Sequence, residues 1–94
     1  MPNWELVSFV LASEMRFKIL IRLNNKVHTP TELKKNFDVP ISRVSAVLKD
    51  LLEKELIENL TPERRKSKMY AITELGKEVL NEIHELTGGG ESSD

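Results

Sequence analysis

The 94-residue sequence contains no cysteine, so no disulfide framework is available and nothing in the chain argues for secretion. Histidine occurs only at His28 and His84, which leaves too few ligands for a transition-metal site, and neither a metal nor a cofactor is expected. Glutamine is absent while Lys and Glu are abundant, a faint thermophile-like bias that six asparagines offset. The N-terminal apolar run from Trp4 to Ala12 carries Glu5, is too short for a bilayer and follows no basic residue. A cytoplasmic protein without a membrane partner is expected. No nucleophile–base pair, Gly-rich phosphate loop or ligand cluster occurs at a useful spacing, and Gly88 to Gly90 have linker composition. The chain is not expected to be an enzyme.

What is present fits one soluble domain, with 39% hydrophobic and 31% charged residues. The formal net charge of −1 conceals an asymmetry. Residues 13–72 hold thirteen Lys/Arg against eight Asp/Glu, whereas residues 73–94 hold one Lys against six acids. Local distribution matters more for partners than the total. The densest positive point is TPERRKS (61–67), where Arg64, Arg65 and Lys66 are consecutive and Lys68 follows. Such a cluster repels itself unless something negative lies opposite.

Periodicity divides the chain into helices and one hairpin. Residues 4–12 are apolar around most of a helical circumference, as suits a helix covered on more than one side. Ser13 is a plausible N-cap for a helix over 14–25, in which Ile19, Leu20 and Leu23 recur at helical spacing. Thr29, Pro30 and Glu32 form a capping box with proline at the first position, opening a short helix that ends near Phe37. After the turn Asp38-Val39-Pro40, a longer helix runs over 41–55. Val44, Val47, Leu48 and Leu51 share one face of it, with Ile41 and Leu52 at the edge, and Ser42, Ala46, Lys49 and Glu53 opposite. A short helix, a tight turn and a longer helix with a bare face is a helix-turn-helix plan. Residues 56–60 and 68–73 read as an antiparallel hairpin joined by the basic loop. Thr73 then caps a final helix over 74–87 with a stripe of Leu75, Val79, Ile83 and Leu86. Residues 88–94 read as a flexible tail.

This order resembles the winged helix-turn-helix regulators of prokaryotes, near the small single-domain ArsR and MarR families. Arg16-Phe17-Lys18-Ile19-Leu20 with Leu23 is similar to their R-x-x-I-L-x-x-L second helix. Thr31-Glu32-Leu33 followed by Val44 to Leu51 is similar to their helix-turn-helix core. Leu56-Ile57 resembles the entry to the wing, and Tyr70 to Gly76 its exit into the last helix. The likeness spans roughly residues 13–80. Two positions depart from it: Glu55 stands where glycine is common, and Ile41 where a polar residue commonly meets DNA. Glu82-Ile83-His84 resembles half of a zinc-sensor motif of ArsR-like proteins, but its second half is missing.

The resemblance implies a mainly α winged-helix domain over 1–87 that binds double-stranded DNA and regulates transcription. Ile41, Ser42, Arg43, Ser45, Ala46 and Lys49 would form the reading surface, with Arg43 suited to a guanine edge and Ile41 either to a thymine methyl or simply to packing. Arg64, Arg65, Lys66 and Lys68 would lie along the phosphate backbone. Apolar surface at Trp4, Phe9, Val79, Ile83 and Leu86 exceeds what so small a core needs. A homodimer through the terminal helices, 4–12 and 74–87, is therefore expected. The rival reading is a winged-helix protein–protein interaction module in a larger assembly, docking through the acidic last helix. No small-molecule effector is named by the sequence.

Overall fold

Helix starts follow the side chains that cap them. The computed structural model describes residues 3–87, which form α1 (Trp4–Leu11), α2 (Glu14–Asn25), α3 (Pro30–Phe37), α4 (Ile41–Glu53), β1 (Ile57–Asn59), β2 (Tyr70–Ile72) and α5 (Glu74–Leu86). The expected tail, residues 88–94, lies outside the described residues. Asn3, Ser13 and Thr73 accept hydrogen bonds from the first turns of α1, α2 and α5 at 3.2, 3.3 and 3.0 Å. Thr29 completes a reciprocal box on α3: its hydroxyl accepts from Glu32 N at 3.2 Å, and its own N–H donates to Glu32 Oε1 at 3.0 Å. Each such cap is worth about 1 kcal/mol.

Two helix ends rest on left-handed residues. Asp38, with φ 53°, stops α3 and turns the chain toward Pro40. Glu55, with φ 60°, stops α4 two residues before the expected end. There Glu55 N–H donates to Leu52 C=O at 2.9 Å and Leu56 N–H to Leu51 C=O at 3.0 Å, the paired bonds of a Schellman turn. Glu55 thus occupies the left-handed position after a helix that most often takes glycine.

β1 and β2 pair antiparallel, with Ile57 opposite Ile72 and Asn59 opposite Tyr70. Both strands are shorter than the expected 56–60 and 68–73, although Leu60 N–H still reaches Met69 C=O at 2.8 Å. A third partner was not foreseen. His28 exchanges both backbone hydrogen bonds with Tyr70, at 2.9 and 3.2 Å, which makes β2 the middle strand.

One core joins all elements. Val44, Val47, Leu48 and Leu51 of α4 meet Ile19, Leu20 and Leu23 of α2, with Leu33, Leu56 and Tyr70 closing the sides. Val7 and Val10 of α1 cover it from one end together with Val79 and Ile83 of α5. This corrects part of the expected dimer surface. Val79 is 0% and Ile83 2% exposed, so both are spent inside the protomer, because α1 packs on α5 and needs their stripe as its floor. Trp4 (55%) and Leu86 (50%) stay exposed, and Phe9 is half-buried. Among the described residues no helix is long and apolar enough to cross a membrane.

The first turn of α5 approaches the Glu55–Leu56 corner so closely that only glycine fits. A Cβ on Gly76 would overlap the Leu56 carbonyl oxygen and lie 2.6 Å from Ile72 Cγ1. Gly76→Ala is therefore expected to lose about 1–3 kcal/mol of stability, read from thermal melts, and an unchanged Tm would refute the close approach. Glu55→Gly should act in the opposite sense. The exposed side chain at Glu55 gives up no packing, and relief of the left-handed strain should outweigh glycine's added entropy cost by roughly 0.5–1 kcal/mol, raising Tm by a few degrees.

Candidate nucleic-acid interface

The buried face of α4 determines what its other face can present. With Val44, Val47, Leu48 and Leu51 turned inward, helical geometry leaves Ile41, Ser42, Arg43, Ser45, Ala46 and Lys49 exposed. All six residues expected on the reading surface therefore share one solvent face. Ile41 is 42% exposed and does not serve the core. Among the described residues the Arg43 guanidinium makes no hydrogen bond to protein, and small neighbours at Ser42, Ser45 and Ala46 leave room around it.

The start of α4 differs from that of the other helices. Pro40 occupies the N-cap and offers no side-chain acceptor, although its carbonyl accepts from Arg43 N and Val44 N at 3.0 and 3.3 Å. The first amides of α4 are left to solvent or a ligand, at the positive end of the helix dipole. Further along, Asp50 is not a free acid, since its Oδ2 lies 3.2 Å from Arg16 Nη2.

The wing is braced at its base and open at its tip. Asn59 Oδ1 accepts from Thr61 N at 2.8 Å and from Thr61 Oγ1 at 3.3 Å, and Thr61 Oγ1 accepts from Met69 N at 3.0 Å. This side-chain network continues the ladder past the last paired strand residues, a role the sequence reading missed; the Asn-x-Thr spacing is its only local signal. A turn closes with Arg64 N–H donating to Thr61 C=O at 3.0 Å, and Ser67 adopts φ 55°. Arg65 and Lys66 project into solvent, and Lys68 is half-buried. Arg64 is exposed too, but its Nη1 donates to Ser67 C=O at 3.3 Å, so it also holds the tip together.

Other features lie apart from these two elements. Among the described residues no three His, Asp or Glu side chains converge as metal ligands. His28 is buried with Nδ1 2.8 Å from the Lys26 carbonyl, while His84 is exposed on α5. An open groove of about 650 Å³ separates α2 from α5, with Phe17, Ile21, Leu80 and Ile83 as its apolar lining.

A sequence model of the winged helix-turn-helix family matches residues 12–88, well over half of the chain. The chain belongs to the winged helix-turn-helix family. Solved structures share this winged helix. A cysteine-to-serine mutant of MarR from E. coli, complexed with operator DNA, matches with a TM-score of 0.73 at 26% identity, over 89% of this chain and 64% of that one. A MarR family regulator from Neisseria meningitidis matches at 0.68 and 24% identity, over 81% of this chain and 55% of its own. The adhesin competence repressor of Streptococcus pyogenes matches at 0.69 and 19% identity, over 81% and 57%. The last two share the winged-helix fold. The chain thus spans less than two thirds of the length of each of these three regulators. No curated protein matches the sequence.

Proposed function

We propose that this protein is a dimeric, sequence-specific double-stranded DNA-binding regulator of transcription. The observation that carries the reading is the exposed first half of α4: small and polar side chains, one unengaged arginine and a helix start with no side-chain cap. A duplex major groove admits such a helix, Arg43 fits a guanine edge, and Ile41 suits a thymine methyl. The wing supports the reading through Arg65, Lys66 and Lys68, long cations suited to phosphates. MarR, similar in fold, was solved with operator DNA. A cytoplasmic location belongs to the same reading.

Dimerisation is assigned to the terminal helices through Trp4, Phe9 and Leu86. Asn3 N–H donates to Glu82 Oε1 at 2.8 Å, which holds the start of α1 beside the last turns of α5, the two elements that carry the exposed Trp4 and Leu86. Sedimentation at micromolar concentration should show a dimer, and Trp4→Glu combined with Leu86→Glu should give folded monomers. Val79→Glu should instead unfold the chain. A monomeric wild type would count against the assignment.

The two basic elements should separate in binding measurements. Arg65→Ala with Lys66→Ala avoids the tip-closing Arg64 and should weaken all duplexes alike. The slope of log affinity against log salt should flatten by roughly one unit per lost phosphate contact. Arg43→Ala should cost about 1–3 kcal/mol on a duplex selected from random sequence while barely affecting a scrambled one. Equal losses on both duplexes would reduce Arg43 to another phosphate contact. No loss on either, from any of these variants, would favour the interaction-module reading.

A further inference from the structure

The helix assigned to dimerisation and the helix assigned to reading share little surface. α1 packs on α2 and α5, whereas α4 packs on α2, α3 and β1. One guanidinium spans the gap. Arg16, in the first turn of α2, donates through Nη1 to the Phe9 carbonyl of α1 at 2.8 Å and through Nη2 to Asp50 Oδ2 of α4 at 3.2 Å. Its Cζ also lies 4.0 Å from the centroid of the Phe9 ring. Lys54, at the end of α4, adds a second cation 5.4 Å from the same ring.

Each contact has a local cause. The Phe9 carbonyl belongs to the last turn of α1, whose acceptors have no partner within the helix, and that turn contains no basic residue of its own. Arg16 therefore supplies both a donor and a cation at the negative end of the α1 dipole. Exposed ion pairs usually contribute little, because two long side chains must be ordered. Here the Arg16 side chain is only 22% exposed and is ordered already by the carbonyl and the ring, so the bond to Asp50 has a defined direction.

We propose that Arg16 is a positioning residue that ties the reading helix to the dimer helix, so that the dimer contact sets how α4 meets each half-site. This rests on the DNA-binding reading above. Asp50 lies about 12 Å along the axis from Ser42, at 1.5 Å per residue. A tilt of about 5° about the Asp50 end would move the first turn of α4 by roughly 1 Å, enough to lose a base-edge hydrogen bond. The phosphate contacts of the wing tolerate such a shift.

Arg16→Met and Asp50→Asn test the link because they change charge in opposite directions. If these residues acted only through their field at the phosphates, the first would weaken binding and the second strengthen it. As a positioning link, both should weaken the selected duplex by about fivefold to tenfold and leave a scrambled duplex within about twofold. The double variant should lose no more than either single, since one link is broken in every case. On duplexes whose half-site centres are moved by one base pair either way, the wild type should prefer one spacing and the variants should discriminate less. Arg16→Lys should recover only part of the loss, because an ammonium cannot offer the planar fork that serves Phe9 and Asp50 together.

Opposite effects of the two single variants would overturn the proposal, as would equal losses on both duplexes accompanied by a lowered Tm. Unchanged affinity and unchanged spacing preference in folded variants would overturn the positioning role alone, leaving the reading by α4 intact. A wild type that fails to separate selected from scrambled duplexes would overturn that reading, and the link with it.

Discussion

Leu56 uses its two backbone polar groups to fasten the end of one element to the start of another. Its N–H closes the Schellman turn on Leu51 at 3.0 Å, and its C=O accepts from Thr73 N at 3.0 Å, where β2 passes into α5. Thr73 Oγ1 donates to the Glu55 carbonyl at 2.7 Å, and Gly76 allows the first turn of α5 to rest on the same carbonyl group of Leu56. α4, the wing and α5 are therefore oriented from one corner. Buried backbone groups must find partners, and here those partners lie in different elements, so satisfying them also sets the angles between elements. The strain of a glutamate at φ 60° is tolerated because the surrounding bonds over-determine the turn.

Features governed by neighbours in sequence were legible in advance. Ser13, Thr29-Pro30-Glu32 and Thr73 cap helices because capping depends on a few adjacent residues. The exposed face of α4 was legible for a similar reason: four buried positions at helical spacing determine where the others point. Features that depend on distant partners were not. The periodicity of α5 shows that Val79, Ile83 and Leu86 form a stripe, but not that α1 covers the first two and leaves the third exposed. The pairing of His28 has no periodic signal, since one residue makes no pattern. The short wing strands were overextended because alternation continues into residues whose bonds go to the Asn59 and Thr61 side chains.

The charge asymmetry gains a structural meaning from the same placement. The cations of the middle segment do not act alike. Lys18 pairs with Glu14 at 3.2 Å, Arg16 is held by Asp50, and Arg22 lies 5.3 Å from the Phe37 ring centroid. Arg43 on the first turn of α4 and Arg65 and Lys66 at the wing tip are exposed and retain far more freedom. A near-neutral chain thus presents concentrated positive charge where internal bonding is sparse, an arrangement suited to short-range contact more than to long-range steering.

The single pair of bonds between His28 and Tyr70 has a consequence for how the molecule opens. The chain leaves the sheet at His28, builds α3 and α4, and returns to the sheet at Ile57, so both ends of the helix-turn-helix are fastened to β2. α3 and α4 can therefore become a freely dangling segment only if backbone pairing breaks at one end or the other. The segment thereby behaves as a closed loop whose conformational freedom was surrendered when the sheet formed. Its amides should exchange with solvent together with those of β2, as one cooperative unit and not as a fraying pair of surface helices. The one-residue bridge at His28 thereby links the local stability of the candidate reading surface to that of the wing.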